Sequence, residues 1–251
     1  MNRIYWQSDR IGMLTDHLNA NKHTHWMLQL FLSLDGLLEV SILEEKLACK
    51  CIVVDKNTPH SIDAKQKRIF SILIAPTSSI AEQLSSNMNS SGFWVCDTEG
   101  IIAIQQEAQN LAFETSIKQY LIFCEKLYHF LNITPNPKKY DSRIDLLLHL
   151  IENCKCGNHA ISNFAKEISL SSSRLSHLFK EQTGIPLKSF IVLHQVERAF
   201  TELLNGKSIT AAAMEAGFDS PSHFAATVKR MMGMPASLST KDSEFLKVHN
   251  L

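Results

Sequence analysis

Three histidines near the amino terminus have the types and spacing that suit metal chemistry. His23 and His25 are two positions apart, so on a β-strand both imidazoles point to one face. A turn that carries His60 brings a third imidazole beside them, and Gln29 or water would complete a three-nitrogen metal site. The alternative is that these histidines only line a pocket or satisfy hydrogen bonds. The sequence favours this alternative because Gln29 is a neutral amide and a poor ligand, so no metal and no cofactor is predicted.

Cysteine spacing offers a second kind of chemistry. Cys49-Lys50-Cys51 and Cys154-Lys155-Cys156 have one residue between the sulfurs, whereas zinc-binding pairs usually have roughly two to four. The first residues show no secretion signal, which argues against a disulfide scaffold. We therefore expect the six cysteines to be reduced and to pack as small apolar residues.

The charge balance limits the partners of this chain. Its 251 residues include 25 Lys and Arg against 25 Asp and Glu, with a pI near 7.2. A neutral chain does not attract nucleic acids through its overall charge. The charge balance still allows a protein that binds DNA through a small local surface. The apolar fraction is 45%, and no segment approaches the roughly 18 apolar residues of a membrane span. We expect a folded, cytoplasmic protein that does not enter a membrane.

The predicted secondary structure around these residues changes along the chain from strands to helices. Between residues 26 and 75, short apolar runs separated by turns predict an antiparallel barrel or sandwich. The runs span 27–34, 37–43, 49–54 and 69–74. From residue 77 to 132 the apolar spacing is helical, and it predicts one long helix over about 103–131 with a break near 114–116. The apolar stripe of this helix either completes the core or pairs with a second subunit.

A connector rich in proline and lysine follows. It predicts an amino-terminal domain over 1–132, a linker over 133–140 and a carboxy-terminal domain over 141–251. The last domain is predicted to be all helical with a polar tail. Its helices are expected over 142–153, 161–168, 172–183, 187–204, 209–216 and 221–232.

Two segments of the carboxy-terminal domain resemble each other. One runs from Ala165 to Gly184 and the other from Ala213 to Gly233. Each consists of a short helix with a small alanine, a tight turn, and a second helix that begins at a serine and ends at a glycine. This arrangement predicts a helix-turn-helix unit whose second helix presents a polar face to a DNA groove.

The carboxy-terminal domain resembles the DNA-binding domain of the AraC/XylS family of bacterial transcription regulators. The matching landmarks are Leu-Ser-Ser-Ser-Arg-Leu-Ser-His-Leu-Phe-Lys (170–180), Glu-Gln-Thr-Gly (181–184), Arg-Ala-x-x-x-Leu-Leu (198–204), Ser-Ile (208–209) and Ala-Gly-Phe-x-Ser-x-Ser-His-Phe (216–224). The resemblance implies helix-turn-helix units over about 161–183 and 209–232, joined by a long helix over 187–204. An unrelated helical bundle would not reproduce these caps and glycines.

Three positions within the predicted helices depart from the family pattern. Gln195 stands where an arginine is usual, and Ala226 and Val228 stand where arginine and phenylalanine are common. Ala226 can contact neither a phosphate nor a base edge, so these departures leave open a degenerate second unit. A regulator of that kind would act mainly through protein contacts.

The strand region resembles the cupin-type sensory domain found in many AraC-family regulators. His23-Thr24-His25 with Gln29 lies where cupins carry His-x-His and then a carboxylate, and Asp55-Lys56-Asn57-Thr58-Pro59-His60 resembles the turn that ends in histidine. The chain is therefore expected to be α+β, with a cupin-like antiparallel barrel before an all-α domain. The alternative from the enzyme class is a metal-dependent cupin catalyst that uses His23, His25 and His60.

Strand parity and motif position select the candidate residues for a small-molecule signal in the barrel. They are His25, Met27, Gln29, Phe31 and His60. The expected DNA-contacting residues are Ser172, Ser173, Arg174, His177 and Lys180 in the first unit, and Ser222, His223, Thr227, Lys229 and Arg230 in the second.

The resemblance implies a non-enzymatic regulator of transcription. Its expected partners are promoter or operator DNA, a small-molecule effector, RNA polymerase and a second copy of the chain bound through the 103–131 helix.

Overall fold

The computed structural model describes residues 2–7, 9–16, 18–65, 67–88, 91–114, 116–136, 138–154, 160–232 and 243–248. The chain divides into two compact units. The first contains residues 1–137 together with 229–251, and the second contains residues 138–228. The last 23 residues therefore group with the amino-terminal residues and not with the helices that precede them. Gly233, at the end of the second repeat, lies outside the described residues.

Two sheets build the first unit. The strands are β1 (Asn2–Gln7), β2 (Arg10–Thr15), β3 (Asn19–His23), β4 (Leu28–Ser33), β5 (Leu38–Ile42), β6 (Glu45–Cys49), β7 (Cys51–Val54), β8 (His60–Asp63), β9 (Ile69–Ile74), β10 (Phe93–Val95) and β11 (Ser243–Lys247). One sheet has the order β10-β7-β4-β9-β2-β1-β11 and the other the order β3-β8-β5-β6. Among the described strands, every pairing is antiparallel except that of β1 with β11.

The apolar runs predicted from the sequence became β4, β5, β7 and β9, which confirms the antiparallel sheet. The hairpin of β1 and β2 and the strand β11 were not predicted. β1 is mixed in polarity because Arg3 and Gln7 interrupt it, and β11 lies in the segment expected to be a polar tail. β11 joins the sheet by parallel pairing, from Asn2 opposite Ser243 to Trp6 opposite Lys247. Pairing with an edge strand supplies the backbone hydrogen bonds that a short isolated strand lacks.

The two faces of the larger sheet have different neighbours because side chains alternate along each strand. Leu28, Leu30 and Leu32 of β4 belong to the core that packs against the helices of this unit. Gln29 and Phe31 point the other way and lie near His60 of the smaller sheet. The space between the two sheets is therefore where the predicted signal-binding residues lie.

Within the described part of residues 1–137, three helices pack on the sheets. They are α1 (Ala81–Ser86), α2 (Ile101–Phe113) and α3 (Ile117–Phe130). The predicted long helix is broken at the expected place, because Glu114 is extended and Ser116 caps α3 by accepting a hydrogen bond from the N–H of Gln119. Tyr120 of α3 stacks on Tyr5 with ring centroids 4.2 Å apart. A Cβ on Gly12 would lie 2.7 Å from the Tyr120 ring, so this close approach requires glycine.

The second unit is helical, as predicted. Its helices are α4 (Ser142–Asn153), α5 (Ile161–Glu167), α6 (Ser172–Thr183), α7 (Leu187–Leu204), α8 (Ile209–Glu215) and α9 (Pro221–Met232), of which α9 ends within the segment that groups with the first unit. The core of this unit includes Ile144, Leu147, Leu175, Phe179, Val196, Phe200 and Phe224. Among the described residues, no helix is both long enough and apolar enough to cross a membrane.

The cysteines mostly follow the expectation. Cys49, Cys51, Cys96 and Cys124 are buried and free. Cys154 is disulfide-bonded, so the expectation that every thiol is reduced was wrong at this position. Burial raises the pKa of the Cys49 thiol to about 12, which keeps it protonated and unreactive at neutral pH.

Candidate DNA-binding surface and histidine cluster

The first helix-turn-helix unit is formed by α5 and α6. Ala165 of α5 is buried, and its carbonyl accepts a hydrogen bond of 2.9 Å from the N–H of Leu170 in the turn. Ser169 has a φ of 58°, the left-handed conformation that reverses the chain between the helices. Ser171 then caps α6, because its Oγ accepts a hydrogen bond from the N–H of Arg174 at 3.2 Å.

The second unit, α8 and α9, repeats this geometry. The N–H of Phe218 donates to the carbonyl of Ala213 at 3.0 Å, and Gly217 takes the left-handed position with a φ of 87°. Ser220 Oγ accepts from the N–H of His223 at 3.1 Å, as Ser171 does in the first unit. Pro221 occupies the first helical position, where its fixed φ suits a helix and its missing N–H is not needed. The shared hydrogen bonds show that the sequence repeat is a structural repeat.

The outward face of α6 carries the residues predicted to contact DNA in the first unit. Leu175, Leu178 and Phe179 are buried, and they fix the opposite face against the core. The predicted residues Ser172, Ser173, Arg174, His177 and Lys180 are all exposed. This face combines hydroxyl groups, an imidazole and two cations, so it can donate hydrogen bonds to phosphates and base edges.

The outward face of α9 is smaller than predicted. Ser222, His223, Lys229 and Arg230 are exposed, as expected. Thr227 is 1% exposed, so the prediction that it faces the groove was wrong. Its position follows Phe224 by three residues and precedes Met231 by four, and both are buried, so helical spacing places Thr227 on the inward face. Its Oγ1 makes no hydrogen bond.

The joining helix α7 positions the second unit through Gln195. The Nε2 of Gln195 donates a hydrogen bond of 2.7 Å to the carbonyl of Gly217, which lies in the turn between α8 and α9. The Arg198 guanidinium donates to the carbonyl of Glu215 in the last turn of α8 at 3.4 Å. Gln195 replaces the arginine that is usual in the AraC/XylS family, which this domain resembles. It nevertheless contacts the turn between α8 and α9 directly. Sequence reasoning did not predict this role.

The histidine cluster lies between the two sheets of the first unit. His23 ends β3, His60 begins β8, and a ring nitrogen from each of His23, His25 and His60 lies within 4.8 Å of those of the other two. The ring centroids of His23 and His60 are 4.4 Å apart. Gln29 Oε1 is 2.9 Å from His25 Nε2 and 3.2 Å from His60 Nε2. The structure therefore brings together the four residues that the sequence singled out for metal chemistry.

Burial controls the protonation of this cluster. Loss of solvent lowers the pKa of His25 from 6.5 to about 4, although Gln29 Oε1, which can accept a hydrogen bond from the protonated ring, opposes the shift. The pKa of His60 is lowered to about 3. The main cause is loss of solvent on burial, and the second is repulsion by the positive charge of His25 when that ring is protonated. Both imidazoles are therefore neutral at physiological pH.

The other predicted pocket residues have different roles. Phe31 is fully buried, with its ring 6.1 Å from the ring of His60, so it forms an apolar wall of the cluster. Met27 contributes its backbone carbonyl, which lies 3.0 Å from His25 Nδ1. Sequence reasoning missed Ser71, whose Oγ accepts a hydrogen bond of 3.0 Å from Gln29 Nε2. A polar residue in the apolar run 69–74 was the available signal.

A separate groove of about 910 Å³ lies in the first unit against α2 and α3. Leu121, Tyr128, Phe130 and Ile133 supply apolar walls, and Arg10 lies at one side. The Arg10 guanidinium already donates to both carboxylate oxygens of Asp9, at 2.8 and 2.9 Å, and to the Tyr128 hydroxyl. The groove therefore offers apolar surface without a free cation at Arg10.

Comparison with known proteins assigns part of the chain. Residues 164–239 match the helix-turn-helix domain family, which confirms the prediction for this region. Two curated relatives are each 37% identical over 78 residues: the virulence regulon transcriptional activator VirF of Yersinia enterocolitica and the thermoregulatory protein LcrF of Yersinia pestis. The match covers 31% of this chain and 29% of each relative's length.

Solved structures extend the likeness to the whole fold. An apo form of ToxT from Vibrio cholerae aligns with a TM-score of 0.55 at 13% sequence identity, covering 96% of this chain and 95% of ToxT. ToxT from strain O395 aligns with a TM-score of 0.53 at 14% identity, covering 96% of each chain. At these identities the likeness establishes the fold, a sheet-rich domain followed by a helical one, and confirms the α+β prediction.

Proposed function

We propose that this chain, whose carboxy-terminal domain is an AraC-type helix-turn-helix domain, is a sequence-specific DNA-binding regulator of transcription. The observation that carries the proposal is the exposed face of α6. A serine cap and a buried apolar stripe hold α6 in place, and its exposed side chains between residues 172 and 180 are hydrogen-bond donors that include no carboxylate. A rigid helix with such a face fits the major groove of double-stranded DNA.

In the first unit, Arg174 and His177 contact bases or phosphates, Lys180 contacts phosphate, and Ser172 and Ser173 add hydrogen bonds near the start of the helix. In the second unit, Ser222 and His223 face the groove, and Lys229 and Arg230 contact the DNA backbone. The second unit binds DNA more weakly than the first, because Ala226 is exposed on the same face of α9 and offers no hydrogen bond.

The charge of the domain determines how binding works. Residues 141–251 carry 12 basic and 11 acidic side chains, so general attraction to DNA is weak. Affinity then depends on specific contacts by both units, or on two copies of the chain bound together. A homodimer through α2 and α3 is part of the proposal, because Ile102 and Phe113 of α2 are exposed apolar residues.

Selection of bound sequences from a random DNA pool by the full chain tests this function. The expected result is a motif with two half-elements about one helical turn apart, one for each unit. The Arg174→Ala variant should lose preference at one position of the first half-element. Recovery of a single half-element would favour the alternative of a degenerate second unit. Recovery of no motif, with a folded protein, would overturn the proposal.

The amino-terminal barrel receives the signal in this proposal. ToxT has been crystallised with an unsaturated fatty acid and with (E)-4-(8-methylnaphthalen-1-yl)but-3-enoic acid, so a neighbour in fold binds small molecules. In this chain the residues that would meet a small molecule between the sheets are His25, Met27, Gln29, Phe31 and His60.

We assign no catalytic reaction to the chain, and we place its action in the bacterial cytoplasm, with promoter DNA and RNA polymerase as its partners. The matched relatives support this view, since the Yersinia enterocolitica protein is a transcriptional activator. The alternative of a metal-dependent cupin enzyme predicts turnover by the barrel alone. Incubation of metal-loaded protein with candidate small acids and sugars, followed by mass spectrometry, would detect such turnover.

A further inference from the structure

The three clustered histidines share one hydrogen-bonding arrangement. In each, Nδ1 lies against a backbone carbonyl oxygen, which can only accept a hydrogen bond. The contacts are His23 with Asn21 at 2.8 Å, His25 with Met27 at 3.0 Å and His60 with Thr58 at 2.8 Å. Each Nδ1 therefore carries the proton, and each Nε2 is left with a lone pair. A backbone carbonyl that fixes one ring nitrogen is also what orients histidines that bind metals through the other nitrogen.

Gln29 adds a fourth lone pair to this cluster. Its amide nitrogen donates to Ser71 Oγ, so Oε1 turns toward the imidazoles, 2.9 Å from His25 Nε2 and 3.2 Å from His60 Nε2. An acceptor oxygen that close to two acceptor nitrogens is unfavourable unless something positive lies between them. A proton on each Nε2 would satisfy Oε1, but it would leave Nδ1 facing its carbonyl without a proton. For a neutral imidazole, no choice of tautomer satisfies both contacts.

We propose that this cluster binds one divalent ion of the zinc class through His23, His25 and His60, with Gln29 Oε1 or water as the fourth ligand. Three neutral imidazoles suit zinc, cobalt, nickel or ferrous iron, whereas magnesium and calcium require oxygen ligands. The geometry thus favours the metal site over the pocket-lining alternative that the sequence favoured.

To bind one ion, the histidine side chains must move closer together than they are in this structure. In a tetrahedral site with metal–nitrogen bonds of about 2.0 Å, ligand nitrogens lie about 3.3 Å apart. The present separations reach up to 4.8 Å, so the rings must move inward. His23 has the freedom to do so because it is only half-buried and lies next to an irregularity in the pairing of β3 with β8. His25 and His60 are held by buried surroundings.

The ligand set also predicts how the ion behaves. It contains no carboxylate, so the bound ion keeps its full charge, and binding is weaker than at a structural zinc site with thiolates. An ion held in this way exchanges with the surroundings and keeps an open position for an anion. The ion would be the regulatory signal itself or would anchor an anionic signal molecule. This regulatory role rests on the proposed function, whereas the inference that the cluster binds metal does not.

The test uses the full chain stripped with a chelator and titrated with Co²⁺ and then Zn²⁺. We expect one equivalent of Co²⁺ per chain with the visible absorption of a tetrahedral site, displacement by Zn²⁺, and no response to Mg²⁺. The half-buried position makes His23→Ala the variant that preserves the fold, and it should weaken binding roughly tenfold or more. Gln29→Glu should tighten binding, because a carboxylate is the better ligand. His129→Ala, at an exposed histidine of α3, is the matched control and should bind as the parent does.

Two results would overturn the inference. One is the absence of stoichiometric metal, which would mean that the Gln29 amide is reversed and that its NH₂ group donates to the imidazoles in a complete metal-free network. The other is unchanged affinity in His23→Ala. DNA selection with the stripped protein is measured separately, so failure of metal binding leaves the DNA-binding proposal standing, and failure of DNA binding leaves the metal site standing.

Discussion

Ser171 accepts, through its Oγ, a hydrogen bond of 3.2 Å from the backbone N–H of Arg174. This contact fixes where α6 begins and therefore which side chains of the helix point outward. Ser220 and His223 make the same contact in the second unit at 3.1 Å. In each unit, the serine cap determines the register of a residue proposed to contact DNA.

Removal of the first cap should cost stability. We expect Ser171→Ala to lower the free energy of unfolding of the carboxy-terminal unit by about 1 kcal/mol, because the N–H of Arg174 loses its partner. Urea denaturation of the full chain, followed by far-ultraviolet circular dichroism, measures the change. Ser173→Ala is the control, since Ser173 is an exposed serine in the first turn of the same helix. Equal losses in the two variants would contradict the role of the cap.

Thr227 provides a test of which face of α9 is buried. Its hydroxyl is buried without a hydrogen bond, so Thr227→Val should leave stability unchanged or raise it by up to about 1 kcal/mol. DNA affinity should stay the same, because the side chain points inward. Thermal denaturation and a gel-shift titration measure the two properties. A large loss of affinity with unchanged stability would mean that Thr227 reaches the groove.

Arg174 and Lys180 should differ in how they affect DNA binding. If Arg174 reads a guanine, Arg174→Ala should cost about 1–3 kcal/mol at the selected site and relax preference at that base pair. Lys180→Ala should weaken binding to all sequences alike and reduce the slope of log affinity against log salt by about 1. Titrations on the selected site and on a scrambled site at several salt concentrations separate the two effects.

Lys118→Ala is the charge-matched control for this pair, because Lys118 is an exposed cation of α3 in the other unit. It should change neither the affinity nor the salt slope. If Arg174→Ala weakened binding equally on the selected and scrambled sites, Arg174 would be a phosphate contact instead of a base contact.

The metal-free protein should lose stability in mild acid. The pKa of His25 is about 4 and that of His60 about 3 in the folded protein, compared with 6.5 in the unfolded chain. The unfolded state therefore takes up protons first, and the contribution to stability is complete above about pH 6.5 and falls as the pH decreases toward 4. Thermal denaturation in the presence of a chelator, from pH 7.5 to pH 5, measures this decrease.

The same measurement on variants identifies the groups responsible. His25→Gln should reduce the dependence on pH to the part that His60 contributes, and His149→Gln, at an exposed histidine of α4, should leave it unchanged. A melting temperature of the parent that does not vary over this range would contradict the assignment of neutral, buried imidazoles.

The sequence by itself determined the helices of the carboxy-terminal domain. The predicted ranges 172–183, 187–204 and 221–232 coincide with α6, α7 and α9, because serine caps, glycine ends and helical spacing are local signals. The same signals located the break between α2 and α3. Four runs rich in Ile, Val and Leu identified β4, β5, β7 and β9, since buried strands need little beyond their own side chains to be recognised.

Only the tertiary structure decided the features that depend on distant parts of the chain. β11 is a strand because β1, more than two hundred residues earlier, supplies its hydrogen bonds. Thr227 is polar in type but buried, because the face of a helix is set by its packing partners. The metal hypothesis changed for the same reason: sequence showed His23, His25, His60 and Gln29, whereas the orientation of their lone pairs depends on three backbone carbonyls and on Ser71. Residue type sets what a side chain can donate or accept, and the fold alone sets what it faces.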